Sequence, residues 1–402
     1  MLSWAAYLRI FFTLVLSGTA LVGAANFVID PKALWHPVEG GTLERPLAQN
    51  DGGRLYRSER LARGNLQAVI LGSSRCAGSI DPKEPAFAGM NTFNACMLRS
   101  NIAETIDFGR FAAAHNRGLR RMVIALDFFS FTSRRASYGD YEFSRLAGNS
   151  SLGVASSYLL SFDTLELSLS TLIENLKGRP VRLKDNGFND VDVAPPKVPP
   201  RKRFDDILLE DYLVSPVSYA AYHYDSERTR ALDDFLSELR ARHIDVWLYI
   251  PPIHARQMEV IRQLGLQPVF ERWLTDVTRI AANNGDALYD FATYNPITTE
   301  VVPPPGDRRE MKWYWESSHA KATTGRLVVE RLWKKADARI PAWFGVRLTP
   351  QNIATTIMQL DAGRAAYARL QPGEIAQIER LVRQTEPVRA RLRRLYPDSQ
   401  AR

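Results

Sequence analysis

QAVILGSSRCAG, residues 67–78, is a strand-like run that turns abruptly polar. Its apolar part, 68–71, has the length and composition of a buried strand and ends at Gly72. Two serines follow at once, an arrangement that places a nucleophile at the carboxyl end of a strand. The stretch therefore predicts Ser74 as a nucleophile, and the alternative is that Ser74 only caps a short helix.

Three further runs, at 122–126, 246–250 and 287–291, have the same strand-like character. Helical periodicity separates each run from the next, which is the pattern of repeated βα units. Helices are predicted at 102–114, 227–242, 268–284 and 325–338. The sequence thus predicts an α/β fold, a three-layer α/β/α sandwich with a parallel, flavodoxin-like sheet.

Four parts are predicted along the chain. A cytoplasmic start and transmembrane anchor occupy 1–30, and a tether rich in glycine, proline and charge follows at 31–65. The α/β domain takes 66–340, and 341–402 is a helical extension. An insertion at about 132–225 interrupts the domain just after a strand end, where a long irregular segment often covers a binding site.

An uncharged apolar run lies at 10–28, directly after Arg9. Its 19 residues nearly match the roughly 20 that cross a bilayer as a helix. We expect a single-pass inner-membrane anchor with its N-terminus in the cytoplasm and the bulk of the chain in the periplasm or extracytoplasmic space. The alternative is a cleaved signal peptide, with a processing site at Gly23, Ala24 and Ala25.

Composition narrows the functional classes. The 402 residues are 45% hydrophobic and 24% charged, as in ordinary globular proteins, and the formal net charge is +8. The arginine-rich C-terminal segment could contact nucleic acid or an anionic surface. We favour a solvated helix face, because no nucleic-acid motif accompanies the arginines. Histidine and cysteine spacings fit no zinc site, and the glycine and lysine series of a phosphate loop is missing. We therefore expect no metal, cofactor or nucleic acid.

The sequence contains two cysteines, Cys76 and Cys96. An oxidising compartment permits one disulfide between them. The alternative is a pair of small buried hydrophobes.

Chemistry-bearing side chains follow the predicted strands. Asp127 follows the second strand and His254 the third, while Glu316 and His319 lie in the loop WYWESSHA after the fourth. Ligands of open parallel sheets bind at the carboxyl ends of strands, so these residues are expected near Ser74. A histidine activates a serine by taking its proton, and a carboxylate orients that histidine. We predict Ser74, His319 and Glu316 in these roles.

Two short blocks resemble those of SGNH hydrolases. GSSRCAG at 72–78 is similar to the GDSxxxG block, with Ser74 at the nucleophile position, and ESSH at 316–319 is similar to the DxxH block. FNACM at 93–97 resembles the second block, with Cys96 where the family has the glycine whose amide helps to form the oxyanion hole. At the third block, Asp127 stands where the family has an asparagine, and Asn94 or Asn101 is a substitute donor.

The resemblance implies a function outside the cytoplasm. Envelope members of this superfamily, such as those similar to alginate O-acetyltransferases and to the D-alanyl transfer protein of teichoic acid synthesis, transfer acyl groups. The resemblance implies that this protein is a serine acyl esterase or O-acyltransferase that acts on a cell-surface polysaccharide or related acylated polymer. A membrane acyltransferase is an implied partner.

Several alternatives stay open from the sequence. The protein is either an enzyme or a catalytically degenerate SGNH-like envelope protein that binds polysaccharide or a membrane acyltransferase. Arg75 binds an anionic substrate or forms a salt bridge within the fold. His254 is a rival base, a substrate contact or a structural histidine. Asp127 serves the site or caps a neighbouring loop.

Overall fold

A computed structural model gives the fold and describes residues 3–48, 52–333 and 340–396. The chain divides into two compact units, each built from two separate segments. The first unit comprises Met1–Arg63 and Tyr138–Ala194, and the second comprises Gly64–Ser137 and Pro195–Arg402. Most of the predicted insertion thus belongs to the first unit, together with the N-terminal helix and the segment predicted as a tether.

The second unit contains a six-stranded sheet with the order β2-β1-β3-β4-β5-β6. Its strands are β1 Ala68–Leu71, β2 Thr92–Asn94, β3 Arg121–Ala125, β4 Asp245–Ile250, β5 Ala287–Asp290 and β6 Val346–Leu348. All neighbours pair in parallel except β6, which runs antiparallel to β5. The α/β class and the four predicted strands are confirmed. The prediction of a wholly parallel sheet is corrected by β6, a three-residue edge strand from the C-terminal extension.

Helices connect and flank these strands. The α-helices of the described residues are α1 Trp4–Ile29, α2 Arg54–Ala62, α3 Ser74–Ala77, α4 Ile102–His115, α5 Ser151–Leu159, α6 Phe162–Leu176, α7 Pro200–Ile207, α8 Ser226–Ala241, α9 Ala255–Gln263, α10 Gln267–Asn284, α11 Ala322–Leu332, α12 Ile353–Leu370 and α13 Pro372–Leu395. The first three predicted helices match α4, α8 and α10 closely. The fourth matches α11 up to Leu332, and most of its remaining predicted part lies outside the described residues.

Local sequence explains where these helices begin and end. At the start of α4, Asn101 accepts from the Glu104 amide and the Glu104 side chain reaches back to the Asn101 amide, which is a capping box. Helix α10 ends at Gly285, whose φ of 77° is a left-handed conformation that glycine adopts without strain. Its apolar face is buried, as the spacing of Phe270 and Trp273 predicts.

The C-terminal extension is fixed to the second unit by buried ion pairs. Arg256 of α9 is fully buried and bonds Asp205 of α7 at 2.5 Å and the Glu374 carboxylate of α13. Arg201 of α7 bonds the same Glu374 at 2.6 Å. Because a buried guanidinium is costly without a partner, these pairs hold α13 in one position.

In the first unit, α1 contains 26 residues and is long and apolar enough to cross a membrane, with only 11% of its most apolar window buried. A membrane anchor and a signal sequence both fit this helix. The Ser3 side chain caps its first turn by accepting from the Ala6 amide, and Asp30 ends it in a left-handed conformation.

The order of the strands marks one edge of the sheet as a binding position. Strand β1 lies between β2 and β3. The chain therefore moves from β1 to one side of the sheet, to form β2, and then crosses to the other side, where β3, β4 and β5 follow in order. Ligands of open α/β sheets bind at the carboxyl edge where this reversal occurs. Residues that directly follow β1 and β3 are therefore the first candidates for a site.

Candidate active site

A tight turn after β1 exposes Ser74. Gly72 has a φ of 145°, and a Cβ there would lie 2.7 Å from the Ala125 Cβ, so only glycine fits without a shift. The next residue, Ser73, is the N-cap of α3 because its side chain accepts from the Arg75 amide at 3.2 Å. The alternative that Ser74 is only a cap is thus wrong: Ser73 caps the helix, and the Ser74 side chain is left for the site.

Ser74, His319 and Glu316 lie in one hydrogen-bonded chain. The Ser74 Oγ is 2.7 Å from His319 Nε2, and His319 Nδ1 bonds the Glu316 carboxylate. The other carboxylate oxygen, Glu316 Oε2, accepts from the Ser318 amide at 2.6 Å. The loop that holds this pair is closed by the Trp315 amide, which donates to the His319 carbonyl at 2.9 Å.

This arrangement orients the histidine for proton transfer. With Nδ1–H directed at a carboxylate, Nε2 carries the lone pair and faces the serine hydroxyl. Ser74 is half-buried, and the His319 side chain is 31% exposed, so a substrate carbonyl can reach both. The Glu316 side chain is only 12% exposed, which shields its charge from water.

Burial and charge act in opposite directions on His319. Burial alone lowers its pKa, but the charge of Glu316 and its hydrogen bond outweigh burial, so the pKa of His319 is raised above the usual 6.5. The imidazolium that would form when His319 takes the Ser74 proton is therefore stabilised in this site.

Arg75 is buried in a cluster beside this hydrogen-bonded chain rather than exposed to solvent. It is 5% exposed, and its Nη1 bonds Asp127 Oδ1 at 2.7 Å. Its Nε donates to Ser318 Oγ at 3.0 Å, and its Nη2 donates to the Tyr212 hydroxyl at 3.2 Å. Of the two roles considered for Arg75, the internal salt bridge is the one found. The cluster ties the turn after β1 to the loop that holds His319.

Tyr212 and Ser318 were not recognised from the sequence. Tyr212 lies in the π-helix Leu208–Leu213, inside the predicted insertion, and its hydroxyl is 2.6 Å from Ser318 Oγ. No motif marks Tyr212, because it contributes through a contact 106 residues away in sequence. Ser318 adjoins His319, and its position within ESSH is the one signal that could have found it.

The side chains predicted to bind an oxyanion are engaged within the fold. Asn94 Nδ2 donates to the carbonyls of Cys76 and Ile80, and Asn94 Oδ1 accepts from the Cys96 amide at 3.0 Å. The Cys96 N–H is thereby also occupied. Asp127 pairs with Arg75, as described above. These three positions therefore support the turn instead of presenting donors to a substrate.

A backbone N–H of interest lies at Ser74 itself. The Ser74 amide is the first N–H of α3, where helical N–H groups have no intrahelical acceptor. An amide at the start of a helix suits developing negative charge, so this N–H is a candidate oxyanion donor.

Cys76 and Cys96 form a disulfide, with their Cα atoms 5.9 Å apart. The bond joins α3, which begins at Ser74, to the segment after β2. Both cysteines are fully buried. Of the two readings of the sequence, the covalent pair is the one present, and it fixes the helix that carries Ser74.

His254 has a structural position. It is the N-cap of α9, where Nδ1 accepts from the Arg256 amide at 3.2 Å, and its Nε2 is 2.7 Å from the Glu300 carbonyl. Burial lowers the pKa of His254 to about 4, so the ring is neutral. Both ring nitrogens are engaged by backbone groups, which leaves none for a substrate.

No protein-family model, curated protein or solved structure matches this chain. Within the described residues, no group of three or more histidine, cysteine, aspartate or glutamate side chains is placed to hold a metal ion. The functional conclusion therefore depends on the geometry of the site itself.

Proposed function

We propose that this protein is a serine acyl esterase or O-acyltransferase that works through an acyl-Ser74 intermediate. One observation supports this above all others: Ser74 Oγ lies 2.7 Å from His319 Nε2, while His319 Nδ1 bonds Glu316. A hydroxyl, an imidazole and a carboxylate from distant parts of the chain meet at the carboxyl edge of a sheet, where catalysis is expected.

The chemistry follows from these positions. Ser74 Oγ attacks the carbonyl carbon of an ester while His319 Nε2 takes the hydroxyl proton, and the Ser74 amide binds the oxygen that becomes negative. The C–O bond to the alcohol then breaks, and the alcohol leaves with the proton from His319. Water or a sugar hydroxyl next attacks the acyl carbon while His319 Nε2 takes its proton. The bond between that carbon and Ser74 Oγ then breaks, His319 returns the proton to Ser74 Oγ, and an acid or a new ester is released.

The same proposal includes an SGNH-like, three-layer sandwich. The parallel strand order β2-β1-β3-β4-β5 supports it, as does the chain order of the site, with the serine early and the acid and histidine late. The antiparallel strand β6 would be an addition at the edge of this fold.

We further propose that the site works outside the cytoplasm on a cell-surface polysaccharide or another acylated envelope polymer. Helix α1 supports this location, since it would hold the protein at the inner membrane with its N-terminus in the cytoplasm and the bulk of the chain in the periplasm. The disulfide between Cys76 and Cys96 agrees with an oxidising compartment. A membrane acyltransferase that supplies the acyl group is the proposed partner.

A second candidate function is binding without catalysis. Asn94, the Cys96 amide and Asp127 all form hydrogen bonds within the fold, which favours this function. These three positions therefore offer no side-chain donor to an oxyanion. Since one such donor is often worth about 3 kcal/mol, a site without it is slow or inactive. Such a protein would bind polysaccharide or a membrane acyltransferase.

Labelling with a fluorophosphonate probe separates these two functions. An activated serine reacts with the probe, so we expect labelling of the folded wild-type protein, with the adduct mapped to Ser74 by mass spectrometry. Ser74→Ala should lose the label, whereas Ser73→Ala should keep it because that serine only caps α3. Wild-type protein that is folded but unlabelled would support the binding function. Labelling that survives in Ser74→Ala would remove Ser74 from its role.

A further inference from the structure

Helix α6 in the first unit is apolar on the outside and polar on the inside. Its exposed side chains include Phe162 (75% exposed), Leu169 (53%), Ile173 (49%) and Leu176 (88%). Its buried side chains are Thr164, Ser168 and Thr171. A helix on the surface of a protein in water shows the opposite pattern, with apolar residues facing the core. Helix α6 is therefore built to present an apolar face to something other than water.

The polar side of α6 packs on the end of α1. Asn26 of α1 is fully buried, and its Nδ2 donates to the carbonyl of Leu159 at the end of α5, at 2.9 Å, and to that of Ser161 in the turn before α6, at 3.0 Å. Ser168 Oγ of α6 donates to Asn26 Oδ1 at 3.0 Å. Small polar side chains that bond across closely packed helices are typical of interfaces within membranes. The α5–α6 turn is thereby held at a defined level of α1.

That level matches the boundary of a bilayer. The charge-free run 10–28 has 19 residues, so at about 1.5 Å each it spans about 28 Å, close to the roughly 30 Å of a hydrocarbon core. Leu160 of the turn is 53% exposed, and its Cδ2 is 3.6 Å from the position of a Cβ at Gly23. Gly23 precedes Val28 by five residues, or about 7 Å along the helix axis, and interfacial helices reach about 5–10 Å deep.

Aromatic rings gather at the same level. Trp35 is 39% exposed, and its ring centroid lies 5.4 Å from that of Phe27 and 5.6 Å from that of Tyr158. Tryptophan and tyrosine are enriched where a membrane meets water, because their rings are apolar at one end and polar at the other. The aromatic group thus marks the boundary independently of the length of α1.

We propose that α6 and the α5–α6 turn lie in the outer lipid–water interface, with the apolar face of α6 against acyl chains. This interfacial face consists of Leu160, Phe162, Leu169, Ile173 and Leu176. The occupant is the bilayer that α1 enters, because the face is continuous with α1, whose own apolar side chains are exposed along the charge-free run. Glu166 lies at the margin of the face, where its carboxylate can reach the headgroups. The proposal does not depend on the catalytic role of Ser74.

Site-specific fluorescence in lipid vesicles tests this placement. The two native cysteines are buried in a disulfide, so an environment-sensitive nitrobenzoxadiazole (NBD) label attaches only to an introduced cysteine. The full chain is reconstituted in vesicles of phosphatidylcholine and phosphatidylglycerol as Leu169→Cys or Leu176→Cys. Leu14→Cys reports on α1, and Leu370→Cys on α12, whose leucine is 77% exposed in the second unit, is the matched control.

The proposal expects blue-shifted emission at both α6 positions. A lipid with a doxyl quencher near its headgroup should quench them more strongly than a lipid with the quencher near the chain end, and the Leu370→Cys label should be unaffected. The Leu14→Cys label should be quenched better by the deeper group. Water-like, unquenched emission on α6 beside a quenched Leu14→Cys label would overturn the proposal in favour of solvent or a protein partner on this face. An unquenched Leu14→Cys label would overturn it as well, because α1 would then lie outside the bilayer.

Discussion

Replacing Glu316 by glutamine tests the proposed catalytic role of Ser74, His319 and Glu316 most directly. The substitution keeps the size of the side chain and removes the charge that faces His319 Nδ1. Opposite unit charges about 4 Å apart attract by about 4 kcal/mol at the effective dielectric constant of a site near the protein surface. Because the His319 side chain is 31% exposed, water screens part of this energy, so about 3–4 kcal/mol of transition-state stabilisation is lost. The rate should fall about 10²–10³-fold.

The pH profile should move together with the rate. The proposed base works when His319 is neutral, and Glu316 raises the pKa of His319, so wild-type activity should rise with pH and reach half of its maximum above pH 6.5. In Glu316→Gln, burial acts without the opposing charge, so the midpoint should fall below the wild-type value. Stability should depend on pH in the opposite direction to activity. Because the pKa of His319 is raised in the folded protein, protonated His319 stabilises the fold below pH 6.5, and this contribution is lost as pH rises through the folded-state pKa.

The assay is the second-order rate of fluorophosphonate labelling, or of p-nitrophenyl acetate hydrolysis, measured across pH. Glu379→Gln on α13 is the control, because that residue is remote in sequence from the site and pairs with Arg383 on the helix surface. It should retain the wild-type rate and midpoint. An unchanged rate and midpoint in Glu316→Gln would show that the carboxylate does not act through His319.

Three further changes test the frame around the nucleophile. Joint replacement of Cys76 and Cys96 by alanine opens a link across 20 residues, and urea unfolding should show a loss of about 3 kcal/mol; an unchanged midpoint would contradict this. In Gly325→Ala, the new Cβ would overlap the Ser79 backbone carbonyl, so helix α11 must shift, and a loss of about 1–3 kcal/mol is expected by the same method. Asp127→Ala leaves its buried arginine partner without a counter-charge, and thermal unfolding should show a cost of about 3–5 kcal/mol, which wild-type stability would refute.

Strands with a continuous apolar run were predictable, and short ones were not. AVIL at β1 and ALYD at β5 have only four residues each, but most of their side chains are apolar and buried, so both strands are recognisable from the sequence. Strand β2 has only three residues, TFN, and its asparagine donates hydrogen bonds to the Cys76 and Ile80 carbonyls but has a low strand propensity. Strand β6 is partly exposed and joins the sheet through long-range pairing with β5, which no local pattern records.

The site was predictable where a reacting group follows a strand or a short motif. Ser74 follows β1, Glu316 and His319 lie within the ESSH block, and the structure brings the three together. The supporting residues were misplaced, because an asparagine or a backbone amide looks the same in sequence whether it faces a substrate or a buried carbonyl. Only the fold shows that Asn94 and the Cys96 amide bond each other.

The disulfide between Cys76 and Cys96 makes the rigidity of the turn at Ser74 depend on the redox state of the compartment in which the protein is produced. Protein recovered from a reducing cytoplasm would carry two thiols behind the nucleophile instead of a covalent staple, so its turn would be held by weaker contacts alone. If such a reduced preparation is inactive, oxidation should restore the disulfide and the activity together. Enzymologists should therefore titrate free thiols before they conclude that a sample has no activity.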